Sequence, residues 1–410
     1  MNAPITATVS LQSEHWQALK MDAIFRCCKW DLNREDHPVL APYALVLDRA
    51  QWALLSNTTR RLAREGLELE RELLTRPAWH RRLGLPRSLR SVLRKLGDDN
   101  GGNTVRVVRF DFHYTTDGWR ISEANADVPG GFVEASGITQ AVARSYPGFC
   151  PTGDPARSYA EAIARRVRSG ASVALVHATS YADDRQVMEC LAQHLRANDL
   201  KAIPASPSHL RFDGGRAAID SRFASGAIDG IVRFFPAEWL PKIGWRKRWS
   251  GFFSANSVVL SNPATAILQQ SKRMPLVLSD VSTHAVTWRN LMPKVRCPRE
   301  ILWSERHDWV LKPGFGRVGE GVAISGVTPV AEFDAAFRRS QRHASDWVAQ
   351  KRFHCEPIPT PEGPRYACLG VFAIDGEPSG CYGRVSAKSL IDADAQDIAV
   401  LLRSENANGR

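Results

Sequence analysis

Thr104-Val-Arg-Val-Val-Arg-Phe-Asp-Phe-His-Tyr114 and Trp119-Arg-Ile-Ser-Glu-Ala-Asn125, separated by a turn that ends in Asp117-Gly118, are two runs of alternating apolar and polar residues. Such a pair reads as a β-hairpin. Because successive side chains of a strand point to opposite faces, Arg109, Asp111 and His113 share one face of the first strand, and Glu123 and Asn125 share one face of the second. The hairpin gathers polar groups onto one surface. Asp111, Glu123 and Asn125 supply two carboxylates and an amide oxygen, hard ligands of the kind Mg²⁺ takes alongside substrate phosphates. Arg109 beside them would neutralise a transferring phosphoryl group. The plainer reading of the same residues is a set of cross-strand ion pairs with Arg109 and Arg120.

Upstream of the hairpin, residues 1–12 read as a mobile tail, and helical periodicity runs from about 14 to 97. Trp16, Leu19 and Ile24 begin it, Leu45 through Leu55 continue it, and Leu89, Val92, Leu93 and Leu96 close it. A glycine-containing turn at Asp98–Asn103 ends the helix. Downstream, a helix at 157–169, a strand Val173–His177, a helix at 183–197, a strand Lys201–Pro204 and a strand Ile228–Phe235 alternate as in a small parallel α/β unit, placed at 166–262. A helix follows at 264–273, then a strand Trp309–Lys312, a glycine-rich run, a strand Val322–Ile324, a helix near 331–343, and strands at 345–353, 366–374 and 379–386. The fold class expected is α/β.

The composition is that of a folded globular chain: 410 residues, 44% hydrophobic and 24% charged. Collagen-like, coiled-coil and wholly disordered classes are excluded. The formal charge of +11 is carried by arginines spread along the whole chain, without a basic tail or an aromatic-interleaved stripe, so no nucleic-acid partner is expected. Eight cysteines include no C-x-x-C pair and no zinc spacing. The N-terminus shows no secretory pattern and no run is long enough to span a membrane, which makes the cytoplasm the expected location and a membrane an unexpected partner.

Three further signals carry chemistry. Lys312-Pro-Gly-Phe-Gly-Arg-Val-Gly-Glu-Gly321 places a lysine at a strand end and glycines at 314, 316, 319 and 321. Its backbone can approach phosphates closely, and the lysine can reach the same anion. With no G-K-[ST] ending and a strand rather than a helix ahead of it, the run reads as a glycine-rich hairpin over a nucleotide; the alternative is a flexible turn. Lys272 ends the helix 264–273, and Gln350 closes the strand Trp347-Val-Ala-Gln350, whose backbone is a natural edge for adenine. Arg384 lies on a late strand, where a surface ion pair is the competing reading.

Taken together, Arg109-x-Asp111, Glu123-x-Asn125-Ala-Asp127, Lys272, Lys312-Pro-Gly, Trp347–Gln350, and Arg384 with Ser389-Leu-Ile391 resemble the glutathionylspermidine synthase type of ATP-grasp carboxylate–amine ligase, over about residues 100–395. The resemblance implies an ATP-grasp fold, circularly permuted, with an inserted Rossmann-like pre-ATP-grasp domain at 166–262. It places the metal hairpin of the core in 13–165 and the nucleotide-binding part with its lid in 263–410. It implies Mg²⁺ on Asp111, Glu123 and Asn125. ATP would lie on Lys272, Lys312, Gly314, Gly316, Val318, Gly319, Trp347, Val348, Gln350 and Ser389. Arg109 and Arg384 would stabilise the γ-phosphate as it passes to a small carboxylate, giving an acylphosphate that an amine attacks to form an amide, with ADP and phosphate released.

This chain departs from the bifunctional members in having no N-terminal cysteine amidase domain, so no hydrolytic activity is expected. Val128-Pro-Gly-Gly131 stands where those members carry small hydroxyl residues after the asparagine, which makes an amino acid or peptide as good an acyl substrate as glutathione. His113 and His177 are read first as structural. Two other functions use parts of the same apparatus: a kinase that releases the phosphorylated acceptor, and a silent nucleotide-binding scaffold.

Overall fold

The computed structural model describes residues 4–96, 103–244, 249–317 and 319–404. The hairpin forms as Val107–Thr115 and Gly118–Asn125, with Gly118 at a positive φ of 83° in the turn. Its alternation is shifted once: Asp111 stands opposite Glu123, but Phe112 stands opposite Ile121, so Ser122 is an extra residue, a β-bulge. The bulge adds a third polar side chain from this strand to the face that carries Glu123 and Asn125.

The hairpin is one edge of a large sheet. Its strands run in the order Ile5–Ala7, Leu40–Leu47, Gln396–Arg403, Glu377–Ser386, Tyr366–Ile374, Val107–Thr115 and Gly118–Asn125, with Phe149–Pro151 paired to the end of Gln396–Arg403. All neighbours are antiparallel except Gln396–Arg403 with Leu40–Leu47. Two expectations fail here. Residues 5–7 of the expected tail are a strand on Leu45–Leu47, with Ile5 in the core. Leu45–Leu47, read as helix, ends a strand that is almost wholly buried. A strand covered on both faces is a continuous apolar run, and such a run has no period to separate it from a buried helix.

Helix Arg49–Leu74 begins at Asp48, whose carboxylate accepts from the Gln51 amide at 2.7 Å, and buries Leu55, Leu62, Leu69 and Leu73 as one stripe. That stripe packs against Phe110, Phe112, Leu369 and Val371 on one face of the sheet. On the opposite face, Phe132, Ile138 and Tyr159 cover the half built around Ala399, Leu401, Phe372 and Ile374. The other half of that second face stays open to the cleft described below.

The expected α/β unit forms a four-stranded parallel sheet in the order Val259–Ser261, Gly230–Phe234, Ser172–His177 and Lys201–Ala205, with helices Pro155–Ala164 and Ala182–Ala197. Its Val173 and Leu175 share one core with Phe132 and Phe372. A three-stranded antiparallel sheet, Leu210–Asp213, Arg216–Asp220 and Ser225–Ile228, interrupts the alternation.

The third sheet has the order Val295–Arg296, Trp347–Lys351 and Trp309–Pro313, and helix Val330–Arg342 packs Phe333 and Phe337 against Trp309, Leu311 and Trp347. The helix expected at 264–273 is only a 3₁₀ turn, Ala264–Ala266, and one helical turn, Ile267–Gln270. Ser271 leaves the helical region, donates its hydroxyl to the Leu83 carbonyl, and is followed by Pro275. Instead of a strand at Val322–Ile324, one antiparallel bridge between Leu311 and Ala323 closes the glycine-rich loop. The expected turn at 98–103 lies outside the described residues but for Asn103.

Candidate active site

A cleft of about 480 Å³ lies against the open half of the large sheet, between the glycine-rich loop and the parallel sheet. Its floor is built by strand register. Arg109 stands opposite Asn125, and Asp111 stands opposite Glu123 on one side and Gly370 on the other. Gly370 pairs with Tyr382, and Cys368 with Arg384. Arg109, Asp111, Glu123, Asn125, Tyr382 and Arg384 therefore share one concave face.

Arg109 donates from Nε to Asp111 Oδ1 at 2.7 Å, from Nη2 to Asp111 Oδ2 at 2.9 Å, and from Nη1 to the Gly130 carbonyl at 2.7 Å. Its guanidinium lies 5.0 Å from the Tyr382 ring. Burial opposes the charge on Arg109, but Asp111 outweighs it and raises the group's pKa. The run Val128–Gly131 is explained by this arrangement. Gly130 lends its carbonyl, and Gly131, at a φ of 95°, leaves the Tyr382 ring the space that a Cβ 2.7 Å away would take.

Asn125 Nδ2 donates to Asp111 Oδ2 at 3.0 Å and to Glu123 Oε1 at 3.3 Å, so the three expected metal donors converge on one point. Among the described residues no three His, Cys, Asp or Glu side chains form a metal cluster; the converging set is two carboxylates and an amide. A half-turn of the amide would present Oδ1 to that point, giving three hard oxygens that fit Mg²⁺. Lys272 Nζ lies 2.9 Å from Glu123 Oε2 and donates to the Gly316 carbonyl at 2.5 Å. Burial raises the pKa of Glu123, yet Lys272, Lys312 and Arg109 together hold it below the usual carboxylate range.

Lys312 Nζ makes one long bond, 3.3 Å, to the Ser122 carbonyl. Burial and the neighbouring Lys272 bring it down to about 8, against the pull of Glu123. Gln350 Nε2 donates to the same carbonyl at 3.2 Å, so the bulged residue anchors both side chains to the hairpin. Arg384 donates from Nη2 to the carbonyls of Asp392 and Ala395, at 2.5 and 3.3 Å, and Ser389 lines the cleft nearby.

Some expected nucleotide contacts take a different part. The Gly314 amide donates to the Asp346 carbonyl and its carbonyl accepts from the Lys272 amide, so both are used within the scaffold. Trp347 lies in the core with Leu311 and Phe333, away from the cleft. Val348 faces a small void beneath Gln350. The backbone of 347–350 is an open edge only in its first half: Ala349 and Gln350 pair with Arg296 and Val295, while the whole strand pairs with Trp309–Pro313 on its other side. Gly316 and Gly319 do line the cleft, and Val318 lies outside the described residues. His113 is taken down to about 4 by burial and Lys312; it bonds Ser122 Oγ at 3.0 Å and packs on Phe353. His177 is buried against the Leu175 carbonyl.

The sequence reading missed several residues of the cleft. Tyr382 donates its hydroxyl to Asp397 Oδ1 at 2.6 Å, and Lys29 bonds Glu134 and Asp397. Arg317 on the loop pairs with Glu238 and stacks 4.7 Å over Trp239. Tyr382 could have been found, since it lies two residues before Arg384 on one strand face. Lys29 had no local signal.

A family model described as glutathionylspermidine synthase preATP-grasp matches residues 13–402. The chain belongs to that family. Among solved structures, a glutathione synthetase-like effector from Globodera pallida in apo form is similar at a TM-score of 0.64 and 12% identity, over 96% of this chain and 98% of that one. A putative gamma-glutamylcysteine synthetase from Methylobacillus flagellatus is 14% identical over 81% of this chain and 86% of that one, with a TM-score of 0.44. No match was found among curated proteins. The glutathionylspermidine synthase family match takes in the large sheet's hairpin, the parallel sheet and the sheet that carries Lys312, and the first structural likeness shows that the fold is shared over nearly the whole of both chains.

Proposed function

We propose that this member of the glutathionylspermidine synthase family is an ATP- and Mg²⁺-dependent ligase that forms an amide between a small carboxylate and an amine. The observation that carries the reading is the convergence of Asp111, Glu123 and Asn125 on one point, in a cleft that Arg109, Lys272, Lys312 and Arg384 also line. We assign the chain to a circularly permuted ATP-grasp fold in which the parallel sheet is the inserted pre-ATP-grasp unit.

Phosphoryl transfer depends on positioning and charge neutralisation more than on covalent help from the protein. Asp111, Glu123 and Asn125 would hold Mg²⁺, which when bound offsets charge on the polyphosphate. In the ligand-free chain Lys272 is bonded to Glu123 and Gly316, so it reaches phosphate by exchanging those partners. Lys312, with its one long bond, is already free to do so. Arg109 is held rigidly by Asp111, Gly130 and Tyr382, and would meet the phosphoryl group with no cost of ordering. Arg384 faces it from Glu377–Ser386, two strands across the same sheet. The phosphoryl group passes to the carboxylate oxygen of the acyl substrate, and the amine nitrogen then attacks the acyl carbon, expelling phosphate.

The test is ADP formation from Mg²⁺-ATP with pooled small carboxylates and amines, with mass spectrometry of the products and Asp111→Asn as control. A condensation product lighter than its parts by one water, absent in the variant, is the expected outcome. ADP with a product heavier by one phosphate would convert the assignment to a kinase, and normal ligation by Asp111→Asn would remove the metal assignment.

A further inference from the structure

Lys29 follows helix Ser13–Phe25, where Cys28 takes a left-handed φ of 62° and turns the chain inward. The side chain is 13% exposed, and its ammonium sits between Glu134, in the helical turn Glu134–Ile138, and Asp397 Oδ2 at 2.9 Å, on the last strand of the large sheet. Those carboxylates are only 10% and 8% exposed. A buried ammonium with two carboxylates is costly to assemble, and nothing in the proposed reaction steps requires it directly.

Its consequence lies one residue further on. Asp397 Oδ1 accepts the Tyr382 hydroxyl at 2.6 Å and lies 3.8 Å from Arg384 Nε, too far for a hydrogen bond. Arg384 Nε is buried and has no hydrogen-bond partner. Tyr382 in turn carries the guanidinium of Arg109 on its ring. Asp397 therefore stands behind both arginines, and Lys29 and Tyr382 occupy its oxygens. Glu134, Asp397, Lys29 and Arg384 sum to zero charge. Without Lys29, Asp397 would turn to Arg384, the cation already 3.8 Å from it, and a charge-assisted bond near 2.8 Å would draw Arg384 off the cleft wall, about 1 Å from where it now stands.

We infer that Lys29 is a positioning residue: by holding Asp397 it leaves Arg384 free to face the γ-phosphate and keeps Tyr382 beneath Arg109. The inference rests on the proposed role of Arg384 and is tested apart from it. The full chain is titrated calorimetrically, in Mg²⁺, with the β,γ-imido analogue of ATP and separately with ADP, so that the ratio of affinities isolates contacts to the terminal phosphate. Lys29→Met is expected to lower the preference for the triphosphate about tenfold, the scale of one lost charged hydrogen bond, while ADP affinity holds. Lys29→Ala should lose the same preference and regain it when ethylammonium chloride is added, but not sodium chloride at equal strength. Arg384→Gln serves as reference. If it leaves the ratio unchanged, the role of Arg384 falls and the inference with it. If Arg384→Gln lowers the ratio and Lys29→Met does not, the inference is overturned and the ligase reading stands. A Lys29→Met chain that melts far below wild type and loses both nucleotides together, with no rescue of Lys29→Ala, would make Lys29 a scaffold residue and overturn it as well.

Discussion

Single residues set the geometry of the cleft through space they leave empty as much as through bonds. A Cβ at Gly370 would lie 2.6 Å from Arg109 Cδ and 2.8 Å from its Nε, the atom bonded to Asp111. Gly370→Ala is expected to leave the chain folded, as seen by circular dichroism, and to lower ADP formation about a hundredfold, the usual scale for an ångström of misplacement. Lys312 gives a pH signature. Its folded value of about 8 lies below the 10.4 or so of an unfolded lysine, so between those limits the unfolded chain binds the extra proton and stability rises with pH. Urea unfolding at both ends of that window should show the rise in wild type and a smaller one in Lys312→Met, the difference isolating this group. An equal rise in both would show that burial does not perturb Lys312.

At the scale of elements, the hairpin is tied to the parallel sheet by a buried pair. Asp127 follows the second hairpin strand, and its Oδ2 accepts from the Ala237 amide at 2.8 Å while Oδ1 meets Arg233. Arg233 also donates to the carbonyls of Asn262 and Phe235, at 3.0 and 2.7 Å, and both side chains of the pair are fully buried. Removing one partner strands a buried charge, so Asp127→Ala should cost about 3–5 kcal/mol in urea unfolding, and Asp127→Leu with Arg233→Met should recover most of it. Additive losses in the double variant would rule out a direct coupling. Such ties cannot be read locally: Asp127 and Arg233 are 106 residues apart.

Over the whole molecule, the cleft is a joint between three sheets. The hairpin supplies Asp111 and Glu123, the third sheet supplies Lys312 and Gln350, and the loop reaches the connection between the parallel strands Gly230–Phe234 and Val259–Ser261 through Arg317, Glu238 and Trp239. A ligand that touches all three should stabilise them as one. Mg²⁺-ATP at a hundred times its dissociation constant is expected to add about 2.7 kcal/mol, seen as one cooperative upward shift in thermal unfolding. Two transitions, only one of them shifted, would show that the nucleotide binds a single part.

The sequence by itself determined what short range can encode. Period-two alternation placed Arg109, Asp111, Glu123 and Asn125 on one face, and a strand-end lysine before four glycines marked the loop. The strand Leu40–Leu47 escaped because a run buried on both faces has no period, and the pairing of Ala349 and Gln350 with Val295–Arg296 escaped because an open strand edge is a property of a sheet. Ser122 became a bulge, and Lys29, Glu134 and Asp397 became one cluster, only when partners 105 and 368 residues apart met. Tertiary structure decides such matters because a buried charge takes whichever partner packing brings within reach, and that distance is not written in the spacing along the chain.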